Sequence, residues 1–140
     1  MSERETKCVM VIDGNLPVGV VANTAAILGI TLGTKAPECV GCDVADADGS
    51  SHAGIVTIPI PILKADSEAL KSIRGKLQEP GYADLITVDF SDVAQCCRTY
   101  DQYIRNAADT GEEGFTYLGI AMYGTKEKIN HLTGSMPLLR

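Results

Sequence analysis

Positive charge is scarce in this chain. Twelve Lys and Arg stand against eighteen Asp and Glu, a net charge of -6 over 140 residues. Such a chain repels phosphate backbones at long range, which disfavours nucleic acid as a partner. The nearest basic group is Lys64, Lys71, Arg74 and Lys76; interleaved with Glu68 and Glu79, it reads as a solvated helix face. Asp84 to Glu113 holds seven acids against Arg98 and Arg105, so it carries five of the six net negative charges. A disulfide framework is lacking too. The five cysteines are odd in number, Cys96 and Cys97 are adjacent, and Cys8 lies in an apolar run. Reduced thiols and a cytoplasmic setting are therefore expected. The opening MSERETK mixes charges and leads into a strand, so no signal peptide is expected. Repeats, low-complexity tracts and linkers are missing as well. One domain spanning 1–140, able to bury its own core, is the expectation.

What the chain does have is a largely apolar stretch after Lys7, Cys8 followed by VMVIDGNLPVGVVANTAAILGITLG, in which Asp13 is the one charged residue. Cys8 to Ile12 is continuously apolar, as for a strand buried on both faces. Asp13-Gly14-Asn15 breaks it, Asn15 is placed to cap a helix, Pro17 fits its first turn, and Gly33 is placed to end it. That helix is apolar on nearly every face and needs a cover. Gly14 to Thr34 is nominally long enough to cross a bilayer, but Pro17, two Asn, three Thr and four Gly argue against it, so no membrane partner is expected.

Further on, Val40 to Val44 reads as a short strand and Asp48-Gly49 as a hairpin turn. In IVTIPIPIL, Ile58, Ile60 and Ile62 alternate as in a strand, and Pro59 and Pro61 confine that strand to a sheet edge. Asp66 caps a helix with Ala69, Leu70, Ile73 and Leu77 inward, stopped by Pro80-Gly81. Leu85 to Phe90 is a third main strand. Ser91 then opens a single helix whose stripe runs through Val93, Cys96/Cys97, Tyr100, Ile104 and Ala107/Ala108. Phe115 to Tyr123 is a central strand, and Thr125 opens a last helix with Ile129 and Leu132 inward, ended by Gly134. This βα-hairpin-βαβαβα order predicts a three-layer α/β/α fold around a mixed sheet of about four strands.

Three stretches, VMVIDGNLPVGVVANTAAILG, IPILKADSEALKSI and YLGIAMYGTKEKINHLTGSMPLL, resemble the second, archaeal-type class of peptidyl-tRNA hydrolases. With GCDVADADGSSHAGI and PIPILKA, the fuller resemblance is to a bacterial family called domain of unknown function 2000, taken as part of the same superfamily. The resemblance implies the same fold. It also implies lost chemistry: the family's lysine position is Gly19, its histidine position is Ala26, its threonine position is Val93, and only Asp89 matches its motif after the third strand. A lone carboxylate is poor hydrolytic apparatus, which points to a non-hydrolytic small-ligand-binding or regulatory domain. The alternatives are an esterase acting on peptidyl-tRNA-like substrates through a rewired Asp89 and Asn23, and a metal- or thiol-dependent protein.

From the residues themselves, the turn at Asp13 lies where open α/β sheets bind ligands, before a helix N-terminus that favours anions. Asp13, Asn15, Asn23 and Asp89 are the candidate ligand contacts, for a small anionic ligand, with Asp89 the candidate catalytic group if there is one. Cys39-Val40-Gly41-Cys42 with His52 is the weaker metal candidate, since a second C-x-x-C or paired His is missing; no cofactor is assigned. The all-apolar helix needs a cover on its outer side: the Lys35 to His52 excursion is one source, and where it does not reach, a homodimer is predicted, with that helix or its neighbours at the interface.

Overall fold

The computed structural model describes residues 5–140. Its sheet has the order β4-β1-β6-β5, built from β1 (Thr6–Asp13), β4 (Ile62–Ala65), β5 (Ile86–Ser91) and β6 (Tyr117–Thr125). β1 runs parallel to β4 and antiparallel to β6, and β5 is antiparallel to β6, so the sheet is mixed and open. The two continuously apolar strands are the central ones. Val9, Val11 and Ile12 of β1 and Ala121 and Met122 of β6 are wholly buried, as strands covered on both faces must be.

Helices cover both faces. On one, Leu28 and Leu32 of α1 (Val18–Lys35) pack with Cys8, Met10, Phe90, Leu118 and Ala121. On the other, Leu70, Ile73 and Leu77 of α2 (Ser67–Leu77) and Ile129 and Leu132 of α5 (Lys126–Thr133) pack with Val9, Val11, Ile120 and Met122. A small hairpin of β2 (Val44–Ala45) and β3 (Ser51–His52) turns through Gly49, whose φ of +83° is open to glycine at little cost. The three-layer α/β/α order read from the sequence is the order observed.

Several local expectations are corrected. α1 begins at Val18 after Pro17, and the Asn15 amide donates to Asp13 Oδ1 at 2.9 Å instead of Asn15 capping the helix. Gly33 does not end α1, which continues to Lys35 and stops before Ala36 and Pro37. Val40 to Val44 is not a strand: Val40 makes an isolated bridge to Val56, and β2 starts at Val44. Pro59 and Pro61 precede the edge strand, which forms only at Ile62, where successive amide donors are available. The single helix expected after Ser91 is two, α3 (Asp92–Gln95) and α4 (Tyr100–Ala108), broken at Cys96–Thr99. Thr99 accepts from the Gln102 amide and caps α4, and Gln102 Oε1 accepts from the Arg98 amide at 2.8 Å, so a new helix start competes with continuing the first. Cys96 is accordingly exposed and only Cys97 turns partly inward.

Candidate functional site

The sheet's two edges are finished differently. Along β4 the chain lays down its own C-terminal segment: the Lys64 amide donates to the Pro137 carbonyl and the Leu139 amide to the Ile62 carbonyl, at 2.8 and 2.9 Å. β5 pairs with β6 on one side and, among the described residues, with no strand on the other. Beside that uncovered side lies a groove of about 410 Å³. Val88, Asp89 and Phe90 all line it. Because successive strand residues point to opposite faces, a cavity touching all three must follow the strand's edge. Ile27 and Thr31 of α1 form one wall, and Cys97, Tyr100 and Tyr103 from the α3–α4 segment form the other.

Asp89 is the ionisable group on the floor. Burial pushes its carboxyl above the ordinary range; Arg74 of α2, 3.8 Å away, opposes this, and Glu112 adds to it. Arg74 Nε donates to Glu112 Oε1 at 3.3 Å, and the Tyr117 hydroxyl donates to the same oxygen at 2.7 Å. Tyr117 is buried, and burial together with Glu112 holds its phenol well above the usual range. Burial would lower the Arg74 guanidinium, but Asp89, Tyr117 and Glu112 outweigh it and hold it above its usual value. Tyr103 is raised by burial first and by the nearby Asp89 second. Asp89 is thus braced from behind by an Arg74–Glu112–Tyr117 network and faces a groove walled by phenols.

Of the sequence candidates, only Asp89 lines this groove. Asn23 is exposed on α1, one turn before Ile27 and two before Thr31, on the same helix stripe. Asp13 is half-buried at the end of β1, tied into its own turn by Asn15. Arg74, read from the sequence as part of a solvated basic face, is the network's cation. Its signal was its place on α2 one residue after inward Ile73; neither Glu112 nor Tyr117 had a local signal. Cys39 is half-buried, Cys42 is exposed, and His52 Nε2 sits 2.8 Å from Asp46 Oδ2. Among the described residues, no three His, Cys, Asp or Glu side chains converge closely enough to hold a metal ion. Cys8 and Cys39 line a separate apolar cavity of about 70 Å³, and burial, then Cys39, pushes the Cys8 thiol up to about 11.

An open, mixed α/β/α sheet with one edge left to a groove is the class of protein these features define. The chain belongs to the family described as protein of unknown function (DUF2000), whose model matches residues 6–140. A solved structure, that of the protein of unknown function Atu0240 from Agrobacterium tumefaciens str. C58, is similar over 96% of this chain and 97% of that one, with a TM-score of 0.85 and 18% identity. At that identity the likeness is one of fold. No curated protein matches the chain.

Proposed function

We propose that the chain is a non-hydrolytic binding or regulatory domain on a peptidyl-tRNA-hydrolase-like fold, taking a small ligand in the groove along β5. The observation that carries this is the groove itself: about 410 Å³, within the range of small-molecule sites, with a partly desolvated carboxylate on its floor. An anionic ligand, expected from the sequence at the β1 turn, would in this groove have Arg98 at the rim as its cation, while Asp89 asks for a hydrogen-bond donor. A small molecule bearing both an acidic group and an amine, amide or hydroxyl suits that pair. Hydrolysis is disfavoured by what the resemblance finds replaced: Gly19, Ala26 and Val93 stand at the positions it would give to lysine, histidine and threonine. The five free thiols support a reducing, cytoplasmic setting, and the exposed apolar side of α1 supports a homodimer.

Thermal shift with a panel of carboxylates, phosphates, amino acids and their amides tests the reading. A ligand at a hundred times its Kd stabilises by about 2.7 kcal/mol. A hit should be weakened by Asp89→Asn or Arg98→Ala and retained by Asp13→Ala. Loss in Asp13→Ala alone would move the site to the β1 turn, and a panel without hits would count against the reading. Release of tRNA from peptidyl-tRNA, abolished by Asp89→Ala, would establish the hydrolase alternative instead.

A further inference from the structure

We infer that the occupant of this groove is an extended peptide, added as a fifth strand to the outer edge of β5. The inference rests on the binding reading above for the groove and goes beyond it, with a peptide held through its main chain in place of the small ligand. Its first support is that β5 offers a column of backbone donors and acceptors with no strand of the described residues beside them. Only an extended main chain carries partners at the matching spacing, which is why exposed sheet edges capture peptides. A second support comes from the opposite edge. There the chain solves the same problem with its own tail, Met136 to Leu139 lying against β4 through two backbone hydrogen bonds and a bridge between Leu63 and Leu138. The β5 edge has no such segment among the described residues.

The walls decide what kind of strand fits. Tyr100 and Tyr103 of α4 stand across the groove from β5, and Ile27 and Thr31 of α1 close one face. A single strand lies about 4.8 Å from its neighbour and can enter between them. The β5 edge of a second copy would bring its own α1 and α4 and collide with these walls, so edge-to-edge pairing of two sheets is disfavoured. Side-chain preference follows from cross-strand pairing. Peptide residues beside Val88 and Phe90 face the α1 side, where Ile27 makes the surface apolar. The residue beside Asp89 points the other way, toward a carboxylate, and should carry a donor or a positive charge.

A displayed library of random hexapeptides, selected on the purified full chain, is the probe. The expected outcome is a set of binders with apolar residues at alternate positions and Lys, Arg or Ser between them. Two synthetic versions of the best binder, N-methylated on the odd or on the even amides, then separate strand addition from side-chain docking. One set of amides faces β5 and the other faces away, so one version should lose at least tenfold in affinity and the other should bind nearly as the parent. Amide NMR shifts should centre on Val88, Asp89 and Phe90, and Thr31→Trp, which fills the groove from a half-buried position on the helix wall, should abolish binding. Equal loss or equal retention in the two versions would overturn the inference, as would shifts centred elsewhere. An empty selection would overturn it too; if the small-molecule panel still gives Asp89-dependent hits, the groove reading stands alone, and if both fail, both fall. Concentration-dependent shifts of the β5 amides without peptide would make a second copy the occupant and overturn it.

Discussion

Asp89 gives up hydration on the groove floor, and Arg74 at 3.8 Å returns only part of it, so the folded carboxyl is held above its ordinary value. The sign follows by linkage. The folded state binds this proton more tightly than the unfolded chain, so ionised Asp89 costs stability at neutral pH and nothing once pH falls below the ordinary carboxylate value, about 3.9. Asp89→Asn should therefore melt above wild type at pH 7, and the gap should close in melts near pH 3.5. A variant melting below wild type at pH 7 would show that Arg74's attraction outweighs burial. A steric case lies at Gly119 of β6. An added Cβ there would stand 2.8 Å from Thr24 Cγ2, 3.1 Å from Leu28 Cδ1 and 3.2 Å from the Val11 carbonyl, all in the buried seam under α1. Gly119→Ala should cost about 1–3 kcal/mol, read from urea midpoints. Asp89 was reachable from sequence as a carboxylate ending a strand. Its network was not: Arg74 is far in the chain from Asp89 and from the Glu112–Tyr117 pair, and they meet only because β5, β6 and α2 pack side by side.

Capping decides several element boundaries. Asp66 Oδ1 accepts from the Ala69 amide at 2.8 Å, and α2 starts where its sequence says. The α3–α4 break was not legible, because the apolar stripe from Val93 to Ala107 keeps helical spacing straight through it. Only the Thr99-x-x-Gln102 signature marks the new start, and a periodic pattern outranks it in reading. The break has a structural effect: it sets α4 beside the β5 groove, with Tyr100 and Tyr103 on its wall. Thr99→Ala removes the cap and should cost about 1 kcal/mol of stability. The same change should loosen that wall, raising amide exchange across Tyr100 to Tyr103 while leaving β1 and β6 protected. Exchange unchanged in α4 would show that the cap does not hold the wall. The prolines were half legible. They place the strand at an edge, as observed, but their missing amides also delay it to Ile62.

At the scale of the whole molecule the largest unbalanced feature is α1. Only Thr24, Leu28 and Leu32 of its eighteen residues are buried, while Val18 is 85% and Ile30 74% exposed. It is the one helix among the described residues long and apolar enough to cross a membrane, yet those three residues are buried in the face that packs on the sheet. Val18, Ala22, Ala26 and Ile30 recur every four residues, so they share one stripe on the side away from the core. The hairpin excursion does not cover it, since Val18, Ala22, Ala26 and Ile30 are all exposed. An interfacial membrane helix sets Lys and Arg on its polar face, and α1 has no charge before Lys35. A second α1 related by a two-fold axis meets that stripe without opposing charge, and its alanines allow close approach. The expected result is a dimer mass by light scattering at micromolar concentration, with Ala26→Glu returning the monomer and leaving the groove's ligand response intact. A monomer mass for the wild type would overturn the dimer.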